Sequence, residues 1–142
     1  MRRLSGVEVS GAVCTLYNAG QIGHRPDGIV PEAIEEQTRT VYANMKAVLD
    51  AAGMSFADIV KTPVFLVNPK DRAVFSNIRS DALGGSNHAS TMVYVAGLAL
   101  PELLVEVEAI AAKQVTGQSR LAACSFPLFS VRCGTRLRLR GD

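Results

Sequence analysis

Val105-Glu106-Val107-Glu108-Ala109-Ile110-Ala111 alternates apolar and acidic residues and then closes on small apolar ones. Period-two alternation of this kind reads as a strand with its valines on one face and its two glutamates on the other. Carboxylates side by side on one strand face repel each other, so a sheet gains little stability from placing them there. Two readings stay open for this run: a half-exposed strand with a solvated acidic face, or a strand on which one glutamate has a chemical task.

The sequence on either side supplies the rest of a layered domain. Upstream, Ala99-Leu100-Pro101 is a turn, Thr91 to Leu98 a strand and Gly84-Gly85-Ser86-Asn87 a loop. Asp71 to Leu83 has helical spacing with Val74, Phe75 and Ile78 inward, and Ile59 to Val67 reads as a strand. Pro63 lacks the donor a central ladder needs and marks an edge, a bulge or a strand start. Ile34, Thr38, Val41, Met45, Val48, Leu49 and Ala52 recur at helical spacing. Pro31 stands at the first turn of that helix, three glutamates lie near its positive end, and Gly53 supplies the stop. Val7 to Val9 and Val13 to Tyr17 flank Ser10-Gly11 as a hairpin, and Gly20 and Gly23 suit places where backbone bends or approaches another group. The order is ββαβαββ. It predicts an α+β sheet with two helices packed on one face and the other face, lined by Val, Met and Tyr, left bare for a partner.

The chain has 142 residues, 48% of them apolar and 20% charged, which suits one globular domain and excludes wholesale disorder. Cys14, Cys124 and Cys133 are an odd number at wide spacing and suggest neither a disulfide framework nor a zinc site; they read as packed small hydrophobes. No apolar run reaches the length of a membrane span and no signal h-region follows Arg2 and Arg3, so a cytoplasmic protein is expected. Residues 1–112 hold nine Lys/Arg and twelve Asp/Glu, whereas residues 113–142 hold six Lys/Arg and only Asp142. The chain therefore divides into a body, 1–112, and a basic extension, 113–142.

The body resembles a known family. Gly20-Gln21-Ile22-Gly23, Glu36-Gln37-Thr38-Arg39, Asn44, Ala47-Val48-Leu49-Asp50-Ala51-Ala52-Gly53, Asp58-Ile59-Val60-Lys61-Thr62 and the run from Val105 to Ala111 are similar, in order and spacing, to the RidA or YjgF-like proteins. The resemblance implies a chorismate-mutase-like fold of the bacillary type and a homotrimer with clefts between its subunits. It also implies hydrolytic deamination of enamines and imines such as 2-iminobutanoate and 2-iminopropanoate, with no metal or organic cofactor. In the family a last-strand glutamate, with backbone groups, positions the attacking water, and an arginine grips the substrate carboxylate. The glutamate falls on Glu106 and the cleft glycine on Gly20, while the serine beside that glycine is Ala19 here. The family's Ala-Arg-Ser/Thr run falls on Ala89-Ser90-Thr91, so Ser90 replaces the arginine.

That replacement shapes the expected function. A guanidinium binds a carboxylate through two parallel charge-assisted bonds that a hydroxyl cannot reproduce. Losing one partner of such a pair costs about 2–5 kcal/mol, which argues against efficient deamination of 2-imino acids. His88, two residues before Ser90, would attract an anion if protonated; His24, Arg25 and Arg79 read as solvated surface residues. Three readings follow. In the first, Glu106 acts as general base in a cleft reshaped for a less acidic imine, with Gly20, His88, Ala89, Ser90 and Thr91 around the ligand. In the second, the cleft captures a small metabolite without turnover. The third, least favoured, is RNA binding or cleavage through Arg132, Arg136, Arg138 and Arg140, which lack stacking aromatics at matching spacing.

Overall fold

The computed structural model describes residues 5–115 apart from Ala12. Six strands and α-helices follow one another among the described residues: strand β1 (Val13–Ile22), helix α1 (Ile34–Ala51), strand β2 (Ile59–Leu66), helix α2 (Arg72–Leu83), strand β3 (Ala89–Tyr94) and strand β4 (Val105–Gln114), with short 3-10 turns at Phe56–Asp58 and Pro69–Asp71. They form one four-stranded sheet in the order β1-β4-β2-β3. β4 is antiparallel to both of its neighbours, and β2 and β3 are parallel, joined by the α2 crossover. Among the described residues no helix is long and apolar enough to cross a membrane.

The alternation in β4 decides which face of the sheet is the core. Val105, Val107, Ala109 and Ala111 are at most 1% exposed. With Val64 and Leu66 of β2 they pack beneath Val41, Met45 and Leu49 of α1 and Phe75 of α2. Glu106 and Glu108 lie on the opposite face, which neither helix covers. Tyr17, paired with Ile110 on that face, is 77% exposed, and Val93 is 41% exposed. Met92 is in register with Val64 and packs into the core, so it does not line the bare face as expected.

Gln37 fastens the two layers together. It is fully buried in the first turns of α1, where its Nε2 donates to the carbonyls of Pro31 (2.7 Å) and Glu102 (2.8 Å) and its Oε1 accepts from the Leu104 amide (2.9 Å). One side chain thereby completes the backbone bonding of the approach to α1 and of the turn that feeds β4. Gly23 makes room for it, since a Cβ there would come within 2.6 Å of the Gln37 Cβ and Cγ.

Several expectations are corrected. Val7 to Val9 form no strand: Val7 and Val9 are 40% and 44% exposed, and three residues with nothing to bury do not hold a ladder, so the described order is βαβαββ. The strand expected at Thr91 to Leu98 runs from Ala89 to Tyr94, set by its parallel register with Lys61 to Leu66. Val74 is 39% exposed, and Phe75, Ile78 and Leu83 are the buried residues of α2. Pro31 precedes α1, which begins at Ile34. Pro63 stands inside a central strand where both ladders keep their register, since the irregularity in the β2–β4 pairing lies between Ile59 and Lys61, so it marks none of the edge, bulge or strand start expected. β4 continues to Gln114, past the expected boundary at 112. Cys14 is half-buried and packs against the core; Cys124, Cys133 and the basic extension from residue 116 lie outside the described residues.

Candidate functional site

β1 is irregular where it passes Glu106. Its register against β4 slips between Asn18 and Gln21, so that Ala19 and Gly20 form a bulge, and Ile22 then pairs with Glu106. The bulge is braced from within by the Gln21 side-chain amide, which donates to Asn18 Oδ1 (2.8 Å) and to the Ala19 carbonyl (3.0 Å). The Glu106 carboxylate lies directly over Gly20, where a Cβ would overlap its Oε1. A side chain at 20 would therefore have to push the carboxylate aside, and with glycine there the carboxylate rests against backbone on the uncovered face. On its other flank Glu106 pairs with Phe65 of β2. The geometry is that of a half-buried carboxylate with Phe65 on one side and strand backbone on the other.

The Ala89-Ser90-Thr91 run is not gathered around this carboxylate within the subunit. Ser90 pairs with Thr62, three residues along β2 from Phe65, a separation of about 10 Å along the strand. Its hydroxyl donates to the Thr62 carbonyl (3.1 Å), and it shares the helix-facing side with Thr62. Thr91 does lie on the open face, where its Oγ1 accepts from Lys61 Nζ (2.6 Å). Of the sequence-derived site residues, the fold thus brings Glu106 and Gly20 into contact and leaves Ala89, Ser90 and Thr91 further down the sheet.

The family model described as endoribonuclease L-PSP matches residues 6–113. This chain belongs to the YjgF/RidA family. A RutC family protein of Pyrococcus horikoshii is 40% identical over 101 residues, covering 70% of this chain and 79% of that protein. The 2-iminobutanoate/2-iminopropanoate deaminase of Rattus norvegicus is 35% identical over 100 residues, covering 68% and 72%. Among solved structures, RidA from an Antarctic Psychrobacter species superposes with a TM-score of 0.66 at 34% identity, covering 75% of this chain and 84% of that one.

Against the RidA-family expectation of an anion-binding group near Ser90, His88 is unsuited. It is 7% exposed, and its Nε2 accepts from Arg79 Nη2 at 3.1 Å, which requires that nitrogen to be unprotonated. Ser86 Oγ lies 3.4 Å from the other ring nitrogen. Burial first, and the Arg79 guanidinium second, push the His88 pKa below its ordinary value, a hydrogen bond to the Ser86 backbone offsetting part of this. His88 is thus a neutral core histidine, and the expectation that its charge serves the ligand is not supported. Arg25 is engaged with Glu36 (2.9 Å) and His24 is exposed. No group of three or more His, Cys, Asp or Glu side chains that could hold a metal occurs among the described residues of this RidA-family chain.

Two features are not singled out by the sequence pattern. Gln37 belongs to a motif that resembles the family, and only its place on the apolar stripe of a helix signals a buried polar staple. Arg79 reads as a surface residue because α2 periodicity alone does not show that His88 folds back onto it.

Proposed function

We propose that this chain is a RidA-family hydrolase of small enamines or imines, working as a homotrimer, with Glu106 as the base in a cleft completed by a neighbouring copy. One observation carries the reading: a half-buried carboxylate held over a side-chain-free bulge on a sheet face that its own helices leave open. The deaminase names of the rat and mouse relatives support the reaction class. Tyr17 and Val93, exposed on the same face, support its being covered by another copy.

The chemistry balances on one carboxylate. As water adds to the C=N carbon, Glu106 takes its proton and passes it to the imine nitrogen, giving a neutral carbinolamine. Glu106 then takes the carbinolamine hydroxyl proton and delivers it to the amine as the C–N bond breaks, releasing ammonia and the carbonyl and leaving the carboxylate as it began. Because the position of the family's arginine holds Ser90, whose hydroxyl is engaged with the Thr62 carbonyl, no guanidinium is supplied there to bind two carboxylate oxygens, and the preferred substrate is less acidic than a 2-imino acid.

A second reading, capture of a small metabolite without turnover, is favoured by that same Ser90. The test is an assay in which threonine dehydratase generates 2-iminobutanoate in the presence of a semicarbazide trap, with neutral imines run in parallel and Ser90→Arg and Glu106→Gln beside the wild type. Turnover of a neutral imine that disappears in Glu106→Gln is the expected result. Ligand binding without any product, unchanged in Glu106→Gln, would replace the enzyme reading with the capture reading. Sedimentation or light scattering checks the trimer, and a monomer would remove the shared cleft.

A further inference from the structure

The bulge beside Glu106 is closed by a clasp on the other side of the sheet. Asn18 is in register with Ala109 and Gln21 with Val107, both buried beneath the helices, and residues directly opposite in a ladder share a face. One residue, Glu108, separates Ala109 from Val107, whereas two, Ala19 and Gly20, separate Asn18 from Gln21. β1 therefore carries one residue more than β4 across this span. That surplus brings the Gly20 backbone against the Glu106 carboxylate on the open side.

The Gln21 amide holds the two ends of the surplus together. Its NH2 group has two hydrogens and uses both, donating to Asn18 Oδ1 (2.8 Å) and to the Ala19 carbonyl (3.0 Å). Asn18 is 6% exposed, and its own Nδ2 is buried with no hydrogen-bond partner among the described residues. A buried donor without a partner lowers stability. Leucine, of similar shape, would fill the same space and leave no donor behind. For stability alone asparagine is thus a poor choice at 18. What it supplies is the acceptor that fixes Gln21 across the bulge.

We propose that Gln21 and Asn18 are positioning residues for Glu106: their hydrogen bond sets the bulge from the helix side, and the bulge sets where the carboxylate rests on the open side. The effect on turnover rests on the hydrolase reading, whereas the effect on the surroundings of the carboxylate does not.

Gln21→Met and Asn18→Leu each remove the bond while nearly keeping side-chain volume, and they test the proposal in the intact protein. Each is measured for kcat and KM on a neutral imine, for its urea midpoint, and for the pH titration of the Glu106 carboxyl carbon by 13C NMR. Both are expected to lower kcat about tenfold, as for a misplaced catalytic group, with KM within about twofold of wild type. Both should also move the Glu106 titration midpoint, because the carboxylate changes its distance from the backbone. Asn18→Leu should do this at a urea midpoint equal to or above wild type, a combination that a purely structural residue does not give. In a Glu106→Gln background neither change should lower kcat further, since both act through that carboxylate. A kcat loss that persists in that background, or a urea midpoint of Asn18→Leu below wild type, overturns the proposal. Where the wild type turns over no imine, the hydrolase reading falls and the titration alone decides. A moved midpoint keeps the clasp as what places Glu106, and an unmoved one removes it.

Discussion

The two sides of this sheet hold their polar groups under opposite terms. On the open side Glu106 is half-buried and its position is set by an absence, the missing side chain at Gly20. On the helix side Gln37, Tyr42, Thr62 and His88 are each buried at 7% exposure or less and are held by the layers packed over them. The open side thus leaves its carboxylate within reach of solvent or a neighbour, whereas the helix side is closed by packing. Apart from the Asn18–Gln21 clasp, substitutions on the open side should cost turnover, and those on the helix side stability.

Glu106→Gln gives the sharpest contrast. Removing a general base lowers the rate about a hundred- to ten-thousandfold, while the unfolding free energy should stay within about 0.5 kcal/mol of wild type, as for surface changes. A steady-state assay beside urea unfolding checks both, and a large stability loss would mean that the carboxylate holds structure. Gln37→Leu should do the reverse. Three backbone groups, one buried and two part-buried, lose their partner, for a destabilisation of about 3 kcal/mol, with any residual turnover per folded molecule unchanged. A urea midpoint equal to wild type would show that water replaces the staple.

Gly20→Ala tests the boundary between the two sides. The new methyl group displaces the carboxylate, and turnover should fall about tenfold or more from misplacement of the base, with a smaller loss in stability. Activity equal to wild type would mean that the carboxylate is not used where it rests.

A pH series separates the sides more gently. His88 is held with its pKa below the ordinary 6.5, so the unfolded chain takes up its proton first as pH falls. Stability is then fully present above about 6.5 and declines below it, until the folded protein also protonates the ring. Urea midpoints between pH 7.5 and pH 5.5 should show this slope in the wild type and a flatter profile in His88→Asn; identical profiles would remove His88 as its source. The smallest effect is that of Tyr42→Phe. Deleting an unpaired buried hydroxyl while keeping the ring is close to neutral, within about 1 kcal/mol. A larger loss, measured by thermal unfolding, would reveal a partner for that hydroxyl.

The framework of the fold was legible because it depends on periodicity. The Val105–Ala111 alternation placed both valines in the core and both glutamates outside it, and α1 carried its stripe from Ile34 to Leu49. Val7 to Val9 show where the same reasoning fails, since three alternating residues satisfy a pattern without burying enough surface to hold a strand. The Glu106–Gly20 pairing was readable only through the family resemblance, because a bulge is set by the register of two distant strands. The environment of His88 was not readable at all. Its lowered pKa follows first from burial and then from Arg79 arriving on a different element, and a sequence does not announce which side chains a crossover will bring together.

Gly23 and Gln37 carry a consequence for how such a chain changes over time. Any side chain at 23 would occupy the space of the Gln37 stem, and any shorter residue at 37 would give up bonds that reach across more than sixty positions to Glu102 and Leu104. Neither site can drift alone without passing through a weakened intermediate, so the two are expected to be inherited as a single unit. A lineage that has replaced one will have had to rebuild the corner where α1 meets the approach to β4.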